Sequence, residues 1–308
     1  MKDTYTLADL DSGKPAGAAE ANPIRLGVFG DPVAHSLSPQ MQNAALEKCG
    51  LPMNYARFQI NADELESALR LLPERNFMGV NLTIPHKLAG AALVDELDGS
   101  AQRVGAINTV RVDGEKLIGF NTDGAGFSRA IRSEFSVDLR DLRVLLLGAG
   151  GGAGRAIAVQ CAAEGCERLV LVNRTFEKAQ QLAAELRPSF SDTRVSGPVS
   201  RLEAVPWEEH ALRFQIANSD LVVNATALGM KRSDPSPLAA ALLAPHLMVY
   251  DTIYAHARTP LLTAALEAGA RTANGLSMLL HQGALSFETW FERDAPVETM
   301  RRALASAA

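Results

Sequence analysis

This sequence lacks paired cysteines, clusters of histidines, an excess of positive charge and long apolar runs. The three cysteines, Cys49, Cys161 and Cys166, have no paired spacing, so we expect reduced thiols in a cytoplasmic protein. The six histidines form no metal-ligand pattern, which predicts no bound metal. The net charge of −5 favours neither a nucleic-acid nor an acidic-membrane partner, and no apolar run reaches the length of a membrane span.

The length of the chain predicts two domains, because 308 residues exceed what one hydrophobic core usually organises. Residues 1–23 lack the charged start and apolar centre of a secretory signal. They are small and polar, and we expect them to form a mobile extension.

The strongest motif is a strand, a glycine turn, a helix and a second strand between Val144 and Arg174. Its first apolar run is typical of a parallel strand covered on both faces. The spacing Gly148-x-Gly150-x-x-Ala153 then matches the dinucleotide fingerprint, whose helix N-terminus can hold a pyrophosphate. An ordinary tight turn is the alternative. The predicted cofactor-binding residues of this loop are Gly148, Ala149, Gly150, Gly151, Gly152 and Ala153.

The end of the second strand indicates which dinucleotide the loop binds. NAD sites usually have an acidic residue there for the ribose 2′-hydroxyl, whereas this chain has Asn173, Arg174 and Thr175, followed by Lys178. The planar fork of an arginine pairs with phosphate oxygens in a bidentate manner, which suits a 2′-phosphate. We therefore predict NADP(H), although a solvated arginine at a strand end is also possible.

Two serines precede a helix in the first half of the chain. Ser36 and Ser38 stand before a helix that we expect to start near Pro39. Ser38 can simply cap this helix. The two hydroxyls and the positive end of the helix dipole can equally bind a substrate carboxylate.

Polar side chains also follow a predicted strand that starts at Phe77. Asn81 and Thr83 alternate with apolar residues, so they share one face, and Lys87 comes just beyond the strand. Ligands bind at the ends of parallel strands in open α/β sheets, although a lysine there is more often a surface charge. Asp123 lies at the entry to a later helix, where it can serve as an N-cap.

Together these segments resemble the shikimate dehydrogenase family, in order and spacing, from about Ile24 to the C-terminus. The glycine loop carries one glycine more than the usual family form. The other segments that carry the resemblance are His35-Ser36-Leu37-Ser38-Pro39, Asn81-Leu82-Thr83-Ile84-Pro85-His86-Lys87, Ala106-Ile107-Asn108-Thr109, Asn121-Thr122-Asp123-Gly124, Asn224-Ala225-Thr226, Tyr250-Asp251-Thr252-Ile253-Tyr254 and Asn274-Gly275-Leu276-Ser277-Met278-Leu279-Leu280-His281-Gln282.

The resemblance implies NADPH-dependent reduction of 3-dehydroshikimate to shikimate, on the way to chorismate and the aromatic amino acids. It implies an α/β substrate domain at residues 24–123, joined by the C-terminal helices at 276–308, and a Rossmann-like NADP domain at 124–275. Lys87 and Asp123 match the catalytic pair. The residues that match substrate contacts are Ser36, Ser38, Thr83, Asn108, Tyr254 and Gln282, with Asn81 as a further neighbour, and Thr252 and Gly275 join the cofactor set.

The chemistry of a carbonyl reduction explains these residue types. Hydride transfer to a carbonyl carbon leaves an alkoxide, which needs a positioned proton donor. The Lys87 ammonium can transfer that proton or mainly stabilise the developing charge, and the residues leave both roles open. We expect a small-molecule substrate and a monomer or a homodimer. Two alternative functions are a quinate dehydrogenase of broader specificity and a non-catalytic NADP-binding regulator. An acidic residue at position 174 would favour the quinate dehydrogenase. Loss of Lys87 or Asp123 would favour the non-catalytic regulator.

Overall fold

The computed structural model describes residues 2–13, 22–190 and 200–307. They form two compact units, the first made of Met1–Thr122 with Leu279–Ala308 and the second of Asp123–Met278. Both units are α/β, which confirms the predicted fold class. The boundary at Met278 falls inside a helix, so the last part of the chain returns to the first unit, as expected.

The first unit contains a mixed sheet of seven strands in the order β1-β3-β2-β4-β6-β7-β5. The pairs β4–β6 and β6–β7 are antiparallel and the others parallel. The strands are β1 (Tyr5–Thr6), β2 (Ile24–Gly30), β3 (Asn54–Gln59), β4 (Gly79–Leu82), β5 (Glu96–Leu97), β6 (Thr109–Asp113) and β7 (Lys116–Phe120). The helices are α1 (Leu7–Asp11), α2 (Ser38–Lys48), α3 (Leu65–Glu74), α4 (Lys87–Ala91) and α5 (Gly99–Val104), with α12 (Val297–Ala307) and most of α11 (Leu276–Phe291).

The alternation of apolar residues in β2 explains why helices cover both faces of this sheet. Leu26 and Val28 pack into one core cluster, together with Phe287 of α11. Phe29, the next residue along the strand, packs into the opposite cluster with Leu69 of α3. Successive strand side chains point to opposite faces, so one strand contributes to two cores.

The second unit contains six parallel strands in the order β10-β9-β8-β11-β12-β13. Numbered within the unit, this is the 3-2-1-4-5-6 order of a doubly wound dinucleotide-binding sheet. The strands are β8 (Arg143–Leu147), β9 (Arg168–Val172), β10 (Leu202–Val205), β11 (Leu221–Asn224), β12 (Met248–Asp251) and β13 (Arg271–Asn274). The helices are α6 (Asp123–Phe135), α7 (Gly152–Glu164), α8 (Phe176–Leu186), α9 (Glu209–Ala217) and α10 (Pro260–Glu267), and short 3₁₀ turns lie at Leu139–Asp141, Arg187–Phe190 and Ala240–Leu242.

The structure differs from the sequence expectation at the N-terminus. Residues 2–13 include β1 and α1 instead of a mobile extension, and residues 14–21 lie outside the described residues. Tyr5 pairs with Phe58 of β3, and Leu10 is fully buried. Thr6 and Asp9 form a reciprocal capping box at the start of α1. Strand pairing, apolar burial and a cap therefore fold a segment whose composition indicated disorder.

The expected cap of α2 also needs correction. Ser38 is the first residue of the helix and Leu37 occupies the cap position, without a side-chain cap bond. The hydroxyl of Ser36 instead accepts a hydrogen bond of 3.3 Å from the Ser38 N–H. The simple capping role considered for Ser38 is thus wrong, because the helix begins one residue earlier than Pro39 indicated.

Candidate active site

Lys87 is placed by a tightly bonded turn after β4. The N–H of Thr83 donates to the Phe29 carbonyl at 2.9 Å, and the His86 N–H donates to the Thr83 carbonyl at 2.8 Å. Lys87 then begins α4, and its own carbonyl accepts the Ile107 N–H at 2.8 Å. The turn is thereby bonded to β2 and to the segment that precedes β6, and the half-buried lysine side chain starts from this bonded backbone.

His86 holds the same turn from inside the protein. Its side chain is buried, and Nε2 donates to the Ile60 carbonyl at 2.8 Å, because a carbonyl oxygen can only accept. Burial lowers the pKa of His86 below its usual 6.5, although the Ile60 carbonyl and the Asp31 charge oppose this shift. The neutral ring is therefore the form that fits the fold.

Asn108 and Gln282 meet in the first unit. The Asn108 amide nitrogen donates to the Gln282 Oε1 at 3.2 Å and to the Thr122 Oγ1 at 2.8 Å. The Asn108 Oδ1 accepts the Thr122 N–H at 2.8 Å. The Gln282 Nε2 donates to the Leu279 carbonyl at 2.9 Å. Asn108 directly follows Ile107, which bonds to Lys87, so three residues matched to the site belong to one connected region.

Asn81 is engaged in a buried network of its own. Its Oδ1 accepts the Tyr55 hydroxyl at 2.8 Å, and its Nδ2 lies 3.0 Å from the Asn108 carbonyl, 3.1 Å from Thr109 Oγ1 and 2.9 Å from Ser286 Oγ. Two amide hydrogens thus face three acceptors. The side chain is buried, so this geometry supports a positioning role for Asn81 more than the predicted substrate contact.

The serine loop is held by an arginine that the sequence reasoning missed. Arg57 of β3 donates to the Ser36 carbonyl through Nε at 2.9 Å and through Nη2 at 2.7 Å. Its Nη2 also lies 3.1 Å from the Gln40 Oε1. No sequence motif marks Arg57, since its partners are distant in the chain. The guanidinium therefore fixes the backbone at Ser36, just before α2 begins at Ser38.

Asp123 and Tyr254 lie in the second unit. Asp123 is buried and begins α6, and Tyr254 is half-buried in the loop after β12. The same loop contains Thr252, and its next residue, Ile253, accepts the Gly275 N–H at 3.1 Å. Pairing of Asp123 with Lys87 and contact of Tyr254 with substrate stay predictions, because these residues belong to different units.

A cavity of about 320 Å³ lies at the carboxyl ends of the strands of the second unit. Seven of the predicted cofactor residues line it, whereas Ala149 is fully buried, Gly152 and Ala153 lie in the first turn of α7, and Thr252 and Gly275 lie elsewhere. Four lining residues lie outside the predicted cofactor set, namely Trp207, Ala225, Thr226 and Leu228. The complete lining is Gly148, Gly150, Gly151, Asn173, Arg174, Thr175, Lys178, Trp207, Ala225, Thr226 and Leu228.

The cavity fits a phosphorylated dinucleotide. Gly148 has a φ of +87°, and a Cβ there would come within 2.8 Å of the Ala225 backbone. A Cβ at Gly150 would come within 2.8 Å of Asn173 and Lys178, so a larger residue at either of these two positions would crowd the loop. None of the described residues that line the cavity is acidic, while Arg174 supplies a cation. Glycine backbone and positive charge are what a pyrophosphate and a 2′-phosphate need.

Two polar residues fix the ends of β11 and β12. The Asn224 Nδ2 donates to the Asp251 Oδ1 at 3.0 Å, and the Thr259 hydroxyl donates to the Asp251 Oδ2 at 2.6 Å. Burial raises the pKa of Asp251, and these donors oppose that shift. The Asn224 Oδ1 accepts the Thr226 hydroxyl at 2.7 Å, so the network holds the wall of the cavity.

Neither a metal cluster nor a membrane helix is found in the parts of the chain that the structure describes. No group of three or more His, Cys, Asp or Glu side chains among these residues is arranged to hold a metal ion. No described helix is both long and apolar enough to cross a bilayer.

Comparison with known families matches three segments of the chain. Residues 28–110 match a shikimate dehydrogenase substrate binding domain, and residues 129–228 match a shikimate/quinate 5-dehydrogenase domain. Residues 275–305 match a shikimate 5′-dehydrogenase C-terminal domain. The matched segments cover both units.

Whole-chain relatives agree with the domain matches. The chain is 41% identical to the shikimate dehydrogenase (NADP(+)) of Methanopyrus kandleri, over 93% of this chain and 96% of the relative. It is 42% identical to the enzyme of the same description from Symbiobacterium thermophilum, over 92% and 94%.

Solved structures show the same fold. Shikimate 5-dehydrogenase from Thermus thermophilus, in complex with NADP(H) and shikimate, matches with a TM-score of 0.80 and 37% identity, over 92% of this chain and all of the other. Quinate dehydrogenase from Corynebacterium glutamicum, in complex with NAD, matches with a TM-score of 0.79 and 29% identity, over 92% and 99%.

Proposed function

The chain belongs to the shikimate dehydrogenase family, and we propose from that premise that it catalyses the reversible, NADPH-dependent reduction of 3-dehydroshikimate to shikimate. It is an oxidoreductase acting on a CH–OH group, and its cofactor is NADP(H). The observation that carries the proposal is the cavity of the second unit, whose glycine loop and Arg174 suit a 2′-phosphorylated dinucleotide. The two whole-chain relatives, from Methanopyrus kandleri and Symbiobacterium thermophilum, are both named as NADP(+) enzymes.

We propose the following roles for the polar residues of the first unit. Ser36 and Ser38 bind the ring carboxylate through their hydroxyls, and Arg57 keeps their loop in position. Asn108 and Gln282 already hydrogen-bond to each other, so they present a joined pair of amides to the ring hydroxyls. Thr83 and, from the second unit, Tyr254 complete the proposed contacts.

Lys87 supplies the proton in this mechanism. NADPH, when bound, supplies the hydride to the C3 carbonyl carbon. The carbonyl oxygen gains negative charge, and the Lys87 ammonium stabilises that charge and donates a proton to the oxygen. In the reverse direction the neutral amine accepts the proton from the C3 hydroxyl. Asp123 orients the ammonium and accepts a hydrogen bond from a substrate hydroxyl.

Free thiols support a reducing compartment for this reaction. Cys49, Cys161 and Cys166 are all unpaired, and the last two are fully buried. Thiols persist in the cytoplasm, where glutathione and thioredoxin keep them reduced. We therefore place the reaction in the cytoplasm, with small molecules as partners of a monomer or a homodimer.

The proposed function is tested by supplying the purified protein with shikimate and NADP and following the absorbance of reduced nicotinamide. We expect turnover with shikimate, and slower turnover with quinate, whose additional C1 hydroxyl would lie beside the carboxylate and the serine loop. NAD in place of NADP should also reduce the rate. Faster turnover with quinate would indicate that the protein is a quinate dehydrogenase. Absence of turnover with both substrates would favour a non-catalytic regulator.

A further inference from the structure

Trp207 stands at the same edge of the second sheet as the predicted 2′-phosphate site. Val205 at the end of β10 pairs with Val172 at the end of β9. Trp207 follows Val205 by two residues, and Arg174 follows Val172 by two residues. Trp207 and Arg174 therefore occupy equivalent positions after the ends of two neighbouring parallel strands. Both residues line the cavity.

The indole ring of Trp207 has a fixed orientation. Its Nε1 donates to the Pro237 carbonyl at 3.3 Å, and the ring packs against the apolar core of the second unit. The residue is nevertheless only half-buried, and it lines the cavity. A rigid aromatic surface is thus presented to a space whose neighbouring walls are glycine backbone and polar or cationic groups.

The chemistry of NADP assigns a group to this surface. The adenine, the 2′-phosphate and the pyrophosphate are all attached to one ribose. Arg174 and Thr175 suit the 2′-phosphate, and the glycine loop that includes Gly148 suits the pyrophosphate. Leu228 follows β11, on the far side of β8 from β9 and β10. The adenine base is then the one group on this ribose without an assigned contact. Trp207 is the large aromatic residue that lines the cavity beside Arg174.

We infer that Trp207 is a cofactor-binding residue that packs against the adenine base of NADP(H). The inference rests on the proposed cofactor site, and it adds a base-recognition role to the phosphate recognition by Arg174. Contact between a base and an aromatic ring stabilises binding, and truncation of the ring removes that contribution. The nicotinamide chemistry is remote from the base, so Trp207 should affect cofactor affinity and leave the chemical step unchanged.

Binding of adenosine 2′,5′-bisphosphate tests the inference, because this ligand contains the base and the 2′-phosphate and no nicotinamide. Titration calorimetry on Trp207→Leu should show a dissociation constant raised roughly 5- to 100-fold, with a smaller rise for Trp207→Phe. With NADP and shikimate, the KM for NADP should rise by a similar factor, while kcat and the KM for shikimate stay unchanged. Phe214→Leu is the matched control, since Phe214 is an exposed aromatic residue of α9 outside the cavity lining.

Tryptophan fluorescence provides a second readout that needs no destabilising variant. The other tryptophan, Trp290, is buried in the first unit, where its Nε1 donates to the Val110 carbonyl at 2.9 Å. Adenosine 2′,5′-bisphosphate should change the emission of the unaltered protein, and Trp207→Phe should abolish that change. An unaltered dissociation constant in Trp207→Leu, or an emission change that survives in Trp207→Phe, would overturn the inference. Absence of shikimate turnover would contradict the proposed reaction and leave this binding test intact.

Discussion

Replacement of Asn81 by alanine separates a structural role from the substrate contact expected from the sequence. The substitution removes the acceptor of the Tyr55 hydroxyl and the donor to the Asn108 carbonyl, at 2.8 and 3.0 Å. It also removes the contact with Ser286 at 2.9 Å. Each net hydrogen bond stabilises by about 0.5–1.5 kcal/mol, and a buried polar group that loses its partner costs about 1–3 kcal/mol. We therefore expect Asn81→Ala to lower the free energy of unfolding by about 2–4 kcal/mol.

Thermal unfolding of the purified variant measures this loss. A change of that size should lower Tm by roughly 5–15 °C in a domain of this length. Asn61→Ala is the control, because Asn61 is an exposed asparagine of the first unit and should shift stability by no more than about 0.5 kcal/mol. A normal Tm for Asn81→Ala, combined with a raised KM for shikimate, would refute the structural role. That result would instead support the predicted contact of Asn81 with the substrate.

Three further predictions concern the cofactor, the Lys87 turn and the catalytic pair. Arg174→Ala should raise the dissociation constant of NADPH far more than that of NADH, since a charge-assisted bond contributes about 1.5–3 kcal/mol; equal losses in a binding titration would contradict this. The lowered pKa of His86 stabilises the fold above the unfolded pKa of 6.5, and that stability is lost as pH falls through the folded pKa. His86→Gln keeps a donor for Ile60 and should flatten the Tm profile at mildly acidic pH, whereas an unchanged slope would disprove the assignment. Asp123→Asn should lower kcat about as much as Lys87→Ala, and the double variant should be no worse than about the poorer single one; additive losses would indicate independent roles.

The second unit is the part of the fold that local sequence predicts best. The apolar run that starts at Val144 predicts a strand, and the structure has β8 at Arg143–Leu147. The helix of the motif, α7, begins at Gly152, so the last glycine of the loop also belongs to the first helical turn. The apolar runs, the glycine turn and the closing Gly165 are all local signals. The motif therefore predicts one strand-helix-strand unit and the place of the cavity, whereas the order of the other strands comes from the structure.

Long-range pairing limits what the sequence predicts in the first unit. Alternation placed Asn81 and Thr83 on one face, but β4 ends at Leu82, and the network of Asn81 depends on Tyr55 and Ser286. Those partners are 26 and 205 residues away along the chain. The carbonyl contact of Arg57 depends in the same way on packing between distant segments.

Trp207 was missed for a related reason. Its position beside Arg174 arises from the pairing of β10 with β9, and the two residues are separated by a whole helix and a strand. A single tryptophan two residues after a short strand carries no local signal for a nucleotide. Only the register of the sheet places it in the cavity.

The most direct test of the account is kcat for shikimate oxidation by Lys87→Ala with saturating NADP. Loss of the proton donor and of the positive charge at the C3 oxygen should lower kcat by roughly 10²- to 10⁴-fold. The KM for shikimate should change little, because the lost interaction belongs mainly to the transition state. Lys48→Ala, which removes an exposed lysine of α2 in the same unit, should keep normal kinetics. The account predicts this large and selective loss of kcat, and a near-normal kcat for Lys87→Ala would contradict it.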